Sequence, residues 1–466
     1  MGYLMTADGK KMYYMKNGEK GMELWSTDTR SRESKKVGQG SLGGMISAAE
    51  LSKDEKSIFA LRNGSPVKID LMSGMPKPIM IAGKMELDAA GERAYMFDHM
   101  WLQVTKKFYD PTIHGINWKM YHDEYAKFLP YINNNYDFQV LLSELLGELN
   151  ASHTGGRYYA NRVLTGGDVT ANFGMLLDET YTGEGIKVSA IIPGGPADKL
   201  SNKIRPGDII TAINGENIPA SENYYKYLNN IANANTVVTV KSTAGNTFSQ
   251  TLRPVAESSL SHLVYEWWVR RCEEMVDKLS GGKIGYVHVE GMNQQSYQVI
   301  YNRLMGKHVK KAAVIVDTRF NGGGWLHDEL VTLLGAKTYM RYAPQGDLLD
   351  DGEPLGRWQK PSAVLTCEGN YSDAFMFPFV YQQNGIGKVY GMPVPGTGTA
   401  VWWETQIDPA IVFGIPMIGS MGTDGKVTEN KQFEPDVKVE LPYNDFLIGK
   451  DPQLEAAVKG LLKEIR

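Results

Sequence analysis

Short apolar strands alternate with amphipathic helices along residues 258–466. The segments 312–320 and 362–369 are apolar enough to be covered on both faces, and residues 259–279 have the three- and four-residue apolar spacing of a helix. Buried strands that alternate with helices predict an α/β domain with a largely parallel sheet. This feature restricts the fold most, because a parallel sheet needs helices on both of its faces.

Two different patterns precede this domain. In residues 1–97, a polar turn with an Asp is followed by a short alternating strand at 6–15, 51–61 and 87–97. Four-stranded blades of a β-propeller have this spacing. Two blades cannot close a ring, so we expect a partial propeller within a longer protein; a small irregular β-domain is the alternative. Residues 98–165 have helical periodicity and predict a helical segment.

Residues 168–257 predict a separate module of short strands. The run RPGDIITAING (205–215) combines a turn, an apolar strand and an Asn-Gly hairpin, and this order of elements resembles a PDZ domain. Phe173, Gly174, Met175 and Leu176 occupy the position of its carboxylate-binding loop. Such a groove accepts an extended peptide by adding it as a strand to the sheet edge.

Composition excludes several classes of function. The 466 residues are 42% hydrophobic and 22% charged, with a formal charge of −4, so neither nucleic acid nor a membrane is expected as a partner. No apolar run is long enough to span a bilayer. Cys272 and Cys367 are expected to be reduced, buried thiols, and no Cys/His cluster has metal-ligand spacing. No metal or cofactor is indicated.

The segment AVLTCEGNYSDAFMFPFVYQQNG (363–385) has the strongest signal for chemistry. Ser372 lies where a buried strand turns into a helix, and such a turn exposes a hydroxyl together with the N–H groups of the first helical turn. A serine nucleophile needs both. The alternative is a simple helix cap, since Ser is a favoured N-cap residue.

A glycine-rich loop and a histidine would complete a catalytic site. Three glycines follow the strand at 322–324 and can present backbone N–H groups to an oxyanion; a tight turn or a phosphate-binding loop is the alternative. Of the eight histidines, His153 lies in a polar loop after a helix, and His327 is its rival beside the glycines. Glu429 lies in a polar turn and could orient the base or simply be solvated.

The order of these motifs resembles the tricorn protease family of the S41-like, C-terminal-processing peptidase superfamily. The resemblance covers nearly the whole chain: a propeller remnant, then a catalytic core that is split by a PDZ module. It implies Ser372 as nucleophile and His153 as base, with Ser152 linking the imidazole to Glu429. It also implies oxyanion donors at the backbone of Asp373 and of one loop glycine, for which we choose Gly323.

The resemblance has further implications. Other members of the superfamily use a Lys base about 25 residues after the Ser, but Thr397 stands there and the nearest Lys is Lys388, so the Ser-Lys form is disfavoured. Unfolded oligopeptides are the implied substrates, with a preference for basic residues. Candidate acids for that preference are Asp347, Asp350 and Asp351. A cytoplasmic location and a homo-oligomeric full-length protein are implied, while an envelope location stays open.

Two other interpretations remain. The chain could be a catalytically inert scaffold that binds peptides through its PDZ module, or an acyl hydrolase that acts on small esters or amides with the same machinery. The serine-type endopeptidase is the interpretation that we favour, because both Ser372 and His153 are present.

Overall fold

The structure is a computed structural model and describes residues 3–18, 21–38, 40–81, 83, 86–160, 167–201, 204–347, 352–447 and 449–465. Its internal contacts divide the chain into two compact units, residues 1–88 and residues 89–466. Within the described residues, no helix is long and apolar enough to cross a membrane.

Two four-stranded antiparallel sheets form the first unit, and in each sheet every strand pairs with the next one along the chain. Their alternating apolar residues, among them Tyr13, Leu24, Ile58 and Ile69, form one core. The strands are β1 Tyr3–Met5, β2 Lys11–Gly18, β3 Gly21–Asp28, β4 Ser34–Lys36, β5 Ile46–Leu51, β6 Ser57–Arg62, β7 Ser65–Asp70 and β8 Pro76–Pro78.

The prediction of a third strand repeat at residues 87–97 is wrong. A helix begins at Ala89 and runs to Lys107, so the boundary expected at residue 97 lies at residue 88. The physical reason is the spacing of the side chains that become buried, since Arg93, Met96 and Met100 lie three or four residues apart on one helical face. The local alternation of residues 95–97 is overridden by that longer period.

The second unit, residues 89–466, contains the remaining elements. Its helices are α1 Ala89–Lys107, α2 Trp118–Ala126, α3 Asn135–Gly147, α4 Ser261–Ser280, α5 Gln294–Asn302, α6 His327–Leu334, α7 Asp373–Gln383, α8 Tyr443–Leu447 and α9 Pro452–Glu464. Its strands are β9 Gly156–Tyr158, β10 Ala171–Asn172, β11 Met175–Leu177, β12 Ile186–Ile191, β13 Ile209–Ile213, β14 Glu216–Asn217, β15 Thr236–Lys241, β16 Thr247–Leu252, β17 Val255–Ala256, β18 Ile284–His288, β19 Ala313–Asp317, β20 Met340–Arg341, β21 Gly352–Glu353, β22 Ser362–Thr366, β23 Lys388–Gly391, β24 Thr399–Thr405, β25 Ile411–Gly419 and β26 Val437–Lys438.

A five-stranded parallel sheet in the order β18-β19-β22-β23-β26 forms the centre of this unit. Residues of α5, α6 and α7 cover one face of the sheet, and residues of α4 and α9 cover the other. The predicted α/β core with a parallel sheet is therefore confirmed. The carboxyl ends of β19 and β22 lead into the glycine loop and into the segment with Ser372.

The PDZ-like module has a sheet in the order β11-β12-β13-β15-β16, with β14 paired to β13. The short pair β10 and β17 joins the chain where it enters and leaves the module. Strand β11, which contains Met175 and Leu176 of the predicted carboxylate-binding loop, lies at an edge of the sheet.

A small antiparallel sheet links the helical segment to the chain beyond Ser372. Strand β9 pairs with β25, so that Phe413 faces Gly156, and β25 also pairs with β24. Ile411, Phe413 and Ile415 of β25 pack in the core made by α1 and α3. Strand β9 was not expected within the helical region 98–165, because a three-residue strand has too little periodicity to be recognised.

A buried ionic network holds the end of β19 next to the C-terminal helix. The guanidinium of Arg319 is fully buried and donates to Asp317, to Asp451 at 2.8 Å and to Gln453 at 3.0 Å. Asp451 also caps α9 by accepting from Leu454 N–H. Since Arg319 lies three residues before the first loop glycine, the network fixes the base of the glycine loop.

We expect Arg319→Met to destabilise the fold by about 3–5 kcal/mol, because it leaves two buried carboxylates without a counter-charge. Urea unfolding followed by tryptophan fluorescence measures the loss. The control is Lys450→Met, which removes an exposed ion pair of 4.0 Å with Asp445 and should leave the unfolding free energy nearly unchanged. Equal stability of the two variants would contradict the role given to Arg319.

Candidate active site

Ser372 lies at a sharp turn between β22 and α7. Its backbone has φ 58° and ψ −123°, a left-handed conformation that is strained for a residue with a side chain. The Ser372 N–H donates to Thr397 Oγ1 at 2.7 Å, which helps to hold the turn. The side chain does not cap α7, so the alternative of a simple helix cap is not what the structure contains.

The imidazole of His153 meets the hydroxyl of Ser372. Nε2 of His153 lies 2.8 Å from Oγ of Ser372, although 219 residues separate them in sequence. His153 also has a positive φ of 62°, and its N–H donates to the Tyr371 hydroxyl at 2.7 Å. The rings of His153 and Tyr371 lie 4.8 Å apart. The residue before the serine therefore holds the histidine loop against the serine turn.

The second ring nitrogen of His153 faces a chain of hydroxyl groups that ends at a carboxylate. Nδ1 lies 2.7 Å from Ser152 Oγ, and Ser152 Oγ lies 3.1 Å from Oε2 of the buried Glu429. Thr399 Oγ1 lies 3.1 Å from Nδ1 and 3.0 Å from Ser152 Oγ. The sequence predicted Ser152 and Glu429 but missed Thr399, because a threonine in a strand carries no signal of its own.

Burial lowers the pKa of His153 below its ordinary value, because the cationic form loses hydration. A neutral imidazole whose Nδ1–H donates to Ser152 leaves Nε2 free to accept the Ser372 proton. Ser152 can in turn donate to Glu429. The arrangement thus fixes one tautomer of the base, the one that a serine nucleophile requires.

His327, the rival histidine, lines the same cleft and has a different partner. Its Nδ1 lies 2.5 Å from Asp373 Oδ1, and hydrogen bonding to this carboxylate raises the pKa of His327. Oδ2 of Asp373 accepts from the N–H groups of Leu326 and His327 at the start of α6. Asp373 therefore ties the N-termini of α6 and α7 together, and its carboxylate favours the protonated form of His327, whereas a general base must be neutral before it accepts a proton.

The glycine loop packs directly on the serine turn. Gly323 has φ 99°, and a Cβ at this position would lie 2.5 Å from the Ser372 Cβ and 2.8 Å from the Tyr371 carbonyl oxygen. The N–H of Gly323 donates to Asn321 Oδ1 at 2.8 Å, so the glycine donor that we chose is already engaged. Gly322 and Gly324 line the cleft beside Ser372 and Asp373. The Asp373 N–H opens α7, where N–H groups have no partner within the helix.

In the PDZ-like module, two backbone N–H groups of the predicted carboxylate-binding loop donate to the side chain of the residue just before it. Oδ1 of Asn172 accepts from Gly174 N–H at 2.7 Å and from Met175 N–H at 3.0 Å. Phe173 and Met175 are buried in the module, whereas Leu176 is exposed at the sheet edge. The loop has the predicted place, but two of its donors are already bonded.

Of the predicted specificity acids, Asp347 is exposed and is not part of the cleft at Ser372. Asp350 and Asp351 lie outside the described residues. Cys272 and Cys367 are both buried free thiols, as expected.

Comparisons with known proteins identify similar domains along the chain. Family models match the Tricorn protease C1 domain at residues 89–147, the PDZ domain at 165–241 and Peptidase family S41 at 283–439. Tricorn protease of Thermoplasma acidophilum is 23% identical over 462 residues, which are 97% of this chain and 42% of that protein. A tricorn protease homolog of Saccharolobus solfataricus is 25% identical over 364 residues, 75% of this chain and 33% of that protein.

Among solved structures, the crystal structure of the tricorn protease matches 98% of this chain and 46% of that chain, with a TM-score of 0.79 and 21% identity. The fold is therefore that of an S41-type peptidase domain with an inserted PDZ domain. The resemblance to the tricorn protease family that the sequence predicts is confirmed. The chain spans less than half the length of these curated relatives.

We expect Gly323→Ala to damage the site, because the new Cβ would meet the Ser372 side chain and the Tyr371 backbone and would force a strained φ. A loss of roughly 1–3 kcal/mol in unfolding free energy is expected. The matched control is Gly322→Ala, since a Cβ there meets nothing within 4 Å. Urea unfolding of both variants makes the comparison, and an equal loss in both would contradict the close packing of Gly323.

Proposed function

We propose that the chain is a serine peptidase in which Ser372 is the nucleophile and His153 its general base. The observation that supports this most strongly is the 2.8 Å contact between His153 Nε2 and Ser372 Oγ, two atoms from distant parts of the chain. The strained turn of Ser372 supports it further, because such strain is found where a hydroxyl must project into a cleft.

The reaction follows from the directions of the hydrogen bonds. Ser372 Oγ attacks the peptide carbonyl carbon while His153 Nε2 accepts its proton, and the imidazolium formed is stabilised by Ser152 and, through it, by Glu429. The same proton passes to the leaving amine nitrogen as the carbon–nitrogen bond breaks. Water then attacks the acyl-enzyme with His153 again as base, which releases the acid and restores Ser372.

The oxyanion would be bound by backbone N–H groups beside Ser372. Asp373 N–H is one donor, and a glycine of the loop supplies the other; Gly322 and Gly324 replace Gly323 as our choice because the Gly323 N–H is engaged by Asn321. Each such donor contributes roughly 3–4 kcal/mol to the lowering of the barrier.

Oligopeptides are the proposed substrates, with endopeptidase cleavage. The open edge of β11 in the PDZ domain supports a role in holding extended chains by strand addition. The two four-stranded sheets of residues 1–88 have the meander order of propeller blades, and we propose that they belong to such a propeller. Homo-oligomeric assembly of the full-length protein in the cytoplasm stays a prediction.

We expect a fluorophosphonate probe to label Ser372 and Ser372→Ala to abolish the labelling. Ser261→Ala is the matched control, because Ser261 also begins a helix but lies in α4, on exposed surface, and its hydroxyl donates to Ser258 C=O. His153→Ala should slow labelling by about 10²–10⁴-fold, the usual contribution of a general base. Peptide mapping by mass spectrometry locates the label. A folded protein without label on Ser372 would favour the inert scaffold.

We expect the acid limb of the labelling rate to lie below pH 6.5, the ordinary pKa of histidine. The reason is that burial lowers the pKa of His153, so the neutral base persists to lower pH and is lost only as the pH falls through that lowered value. The rate of probe labelling between about pH 4 and pH 8 measures the limb. An acid limb above 6.5 would instead point to His327, whose pKa is raised.

A further inference from the structure

The cleft at Ser372 has an uneven distribution of charge. It has a volume of about 560 Å³, and among its described lining residues the permanently charged side chains are Arg157 and Asp373, beside the imidazoles of His153 and His327. The walls are completed by apolar groups such as Trp325, which is 70% exposed, and Trp403. The charge available to a substrate therefore depends on whether Arg157 and Asp373 already have partners within the protein.

Among the described lining residues, Asp373 is the one with a carboxylate, and the protein itself supplies its hydrogen-bond donors. Asp373 is 3% exposed and accepts from the His327 ring and from the N–H groups of Leu326 and His327. A carboxylate with three donors inside the protein has little capacity left for a basic side chain of a substrate. The basic preference expected from the family resemblance thus finds no free acid in the described part of this cleft.

The guanidinium of Arg157, in contrast to the Asp373 carboxylate, is available to a substrate. It lies on β9, four residues after His153, and its guanidinium carbon is 4.1 Å from the centre of the Trp403 ring. Among the residues that the structure describes, the guanidinium forms no ion pair with a carboxylate. Stacking on an indole fixes the plane of the guanidinium and leaves its N–H edge free, which is the geometry that binds a carboxylate through two hydrogen bonds.

We propose that Arg157 determines specificity, and that the cleft takes peptides with an Asp or Glu side chain next to the scissile bond. The inference rests on the proposed peptidase function and names its substrate class. Trp403 holds the cation in place, and the exposed ring of Trp325 offers an apolar surface to the neighbouring residue.

Quenched fluorescent peptides that differ at one position test the proposal. Sets with Glu, Gln or Lys at each of the two positions that flank the cleaved bond are assayed for kcat and KM, each as a free acid and as a C-terminal amide. We expect Glu to exceed Gln by about tenfold in kcat/KM at one of the positions, mainly through KM, with the same ratio in acid and amide forms. The ratio should shrink at high salt.

Variants distinguish charge recognition from a structural effect. Arg157→Gln should remove the Glu preference, so that the Glu and Gln peptides have similar kcat/KM in this variant, and Arg157→Glu should favour the Lys peptide. Lys107→Gln is the matched control, because Lys107 lies near Trp402, the neighbouring ring on β24, and is paired with Glu404 outside this cleft. This control should retain the Glu preference.

The outcomes separate the two proposals. If the fluorophosphonate labels Ser372 but Glu, Gln and Lys peptides are cleaved equally, or Lys is preferred, the specificity inference is wrong and the peptidase proposal stands. A preference that follows the free C-terminus and disappears in the amides also overturns it. If Ser372 is not labelled at all in folded protein, the peptidase proposal itself fails.

Discussion

The pairing of β9 with β25 is the constraint on which the site depends. It places the loop that ends at Gly156 against a strand that follows Ser372 in the chain, so that an imidazole and a hydroxyl 219 residues apart lie 2.8 Å from each other. The PDZ domain lies between these two segments in the sequence. Because backbone ladders allow little register change once one face is buried, the fold itself sets the separation between the loop that carries His153 and the turn that carries Ser372.

Two histidines in one cleft are given different properties by their surroundings. Burial beside neutral hydroxyls lowers the pKa of His153, whereas contact with a carboxylate raises that of His327. The lowered pKa keeps His153 neutral to lower pH, as a proton acceptor requires, and the raised pKa keeps His327 protonated to higher pH than an ordinary histidine. Asp373 causes this difference, because its side chain bonds His327 and not His153. Its backbone N–H lies beside Ser372.

Backbone strain is concentrated where these parts meet. Ser372 and His153 both have positive φ, and each is held by neighbours, the first by Thr397 and the second by the Tyr371 hydroxyl. The network around the buried Arg319 supports the strand that leads into the glycine loop. Strained residues persist only where surrounding contacts over-determine them, so the proposed site is pre-organised by structure that does not itself touch a substrate.

The sequence by itself determined the parallel α/β core, the PDZ-like module and the candidates Ser372, His153, His327 and Glu429, because periodicity and turn chemistry are local properties that residue order carries. The role of Ser152 and the choice of His153 over His327 came from the resemblance to the tricorn protease family. It misjudged segment 87–97, where local alternation competed with a helical period that only tertiary burial reveals. Tertiary structure alone decided that Thr399 joins the hydroxyl chain, that the Gly323 N–H is engaged, and that Arg157 lines the cleft with no carboxylate partner among the described residues. These facts depend on distances between segments that are remote in sequence, and no local pattern encodes such distances.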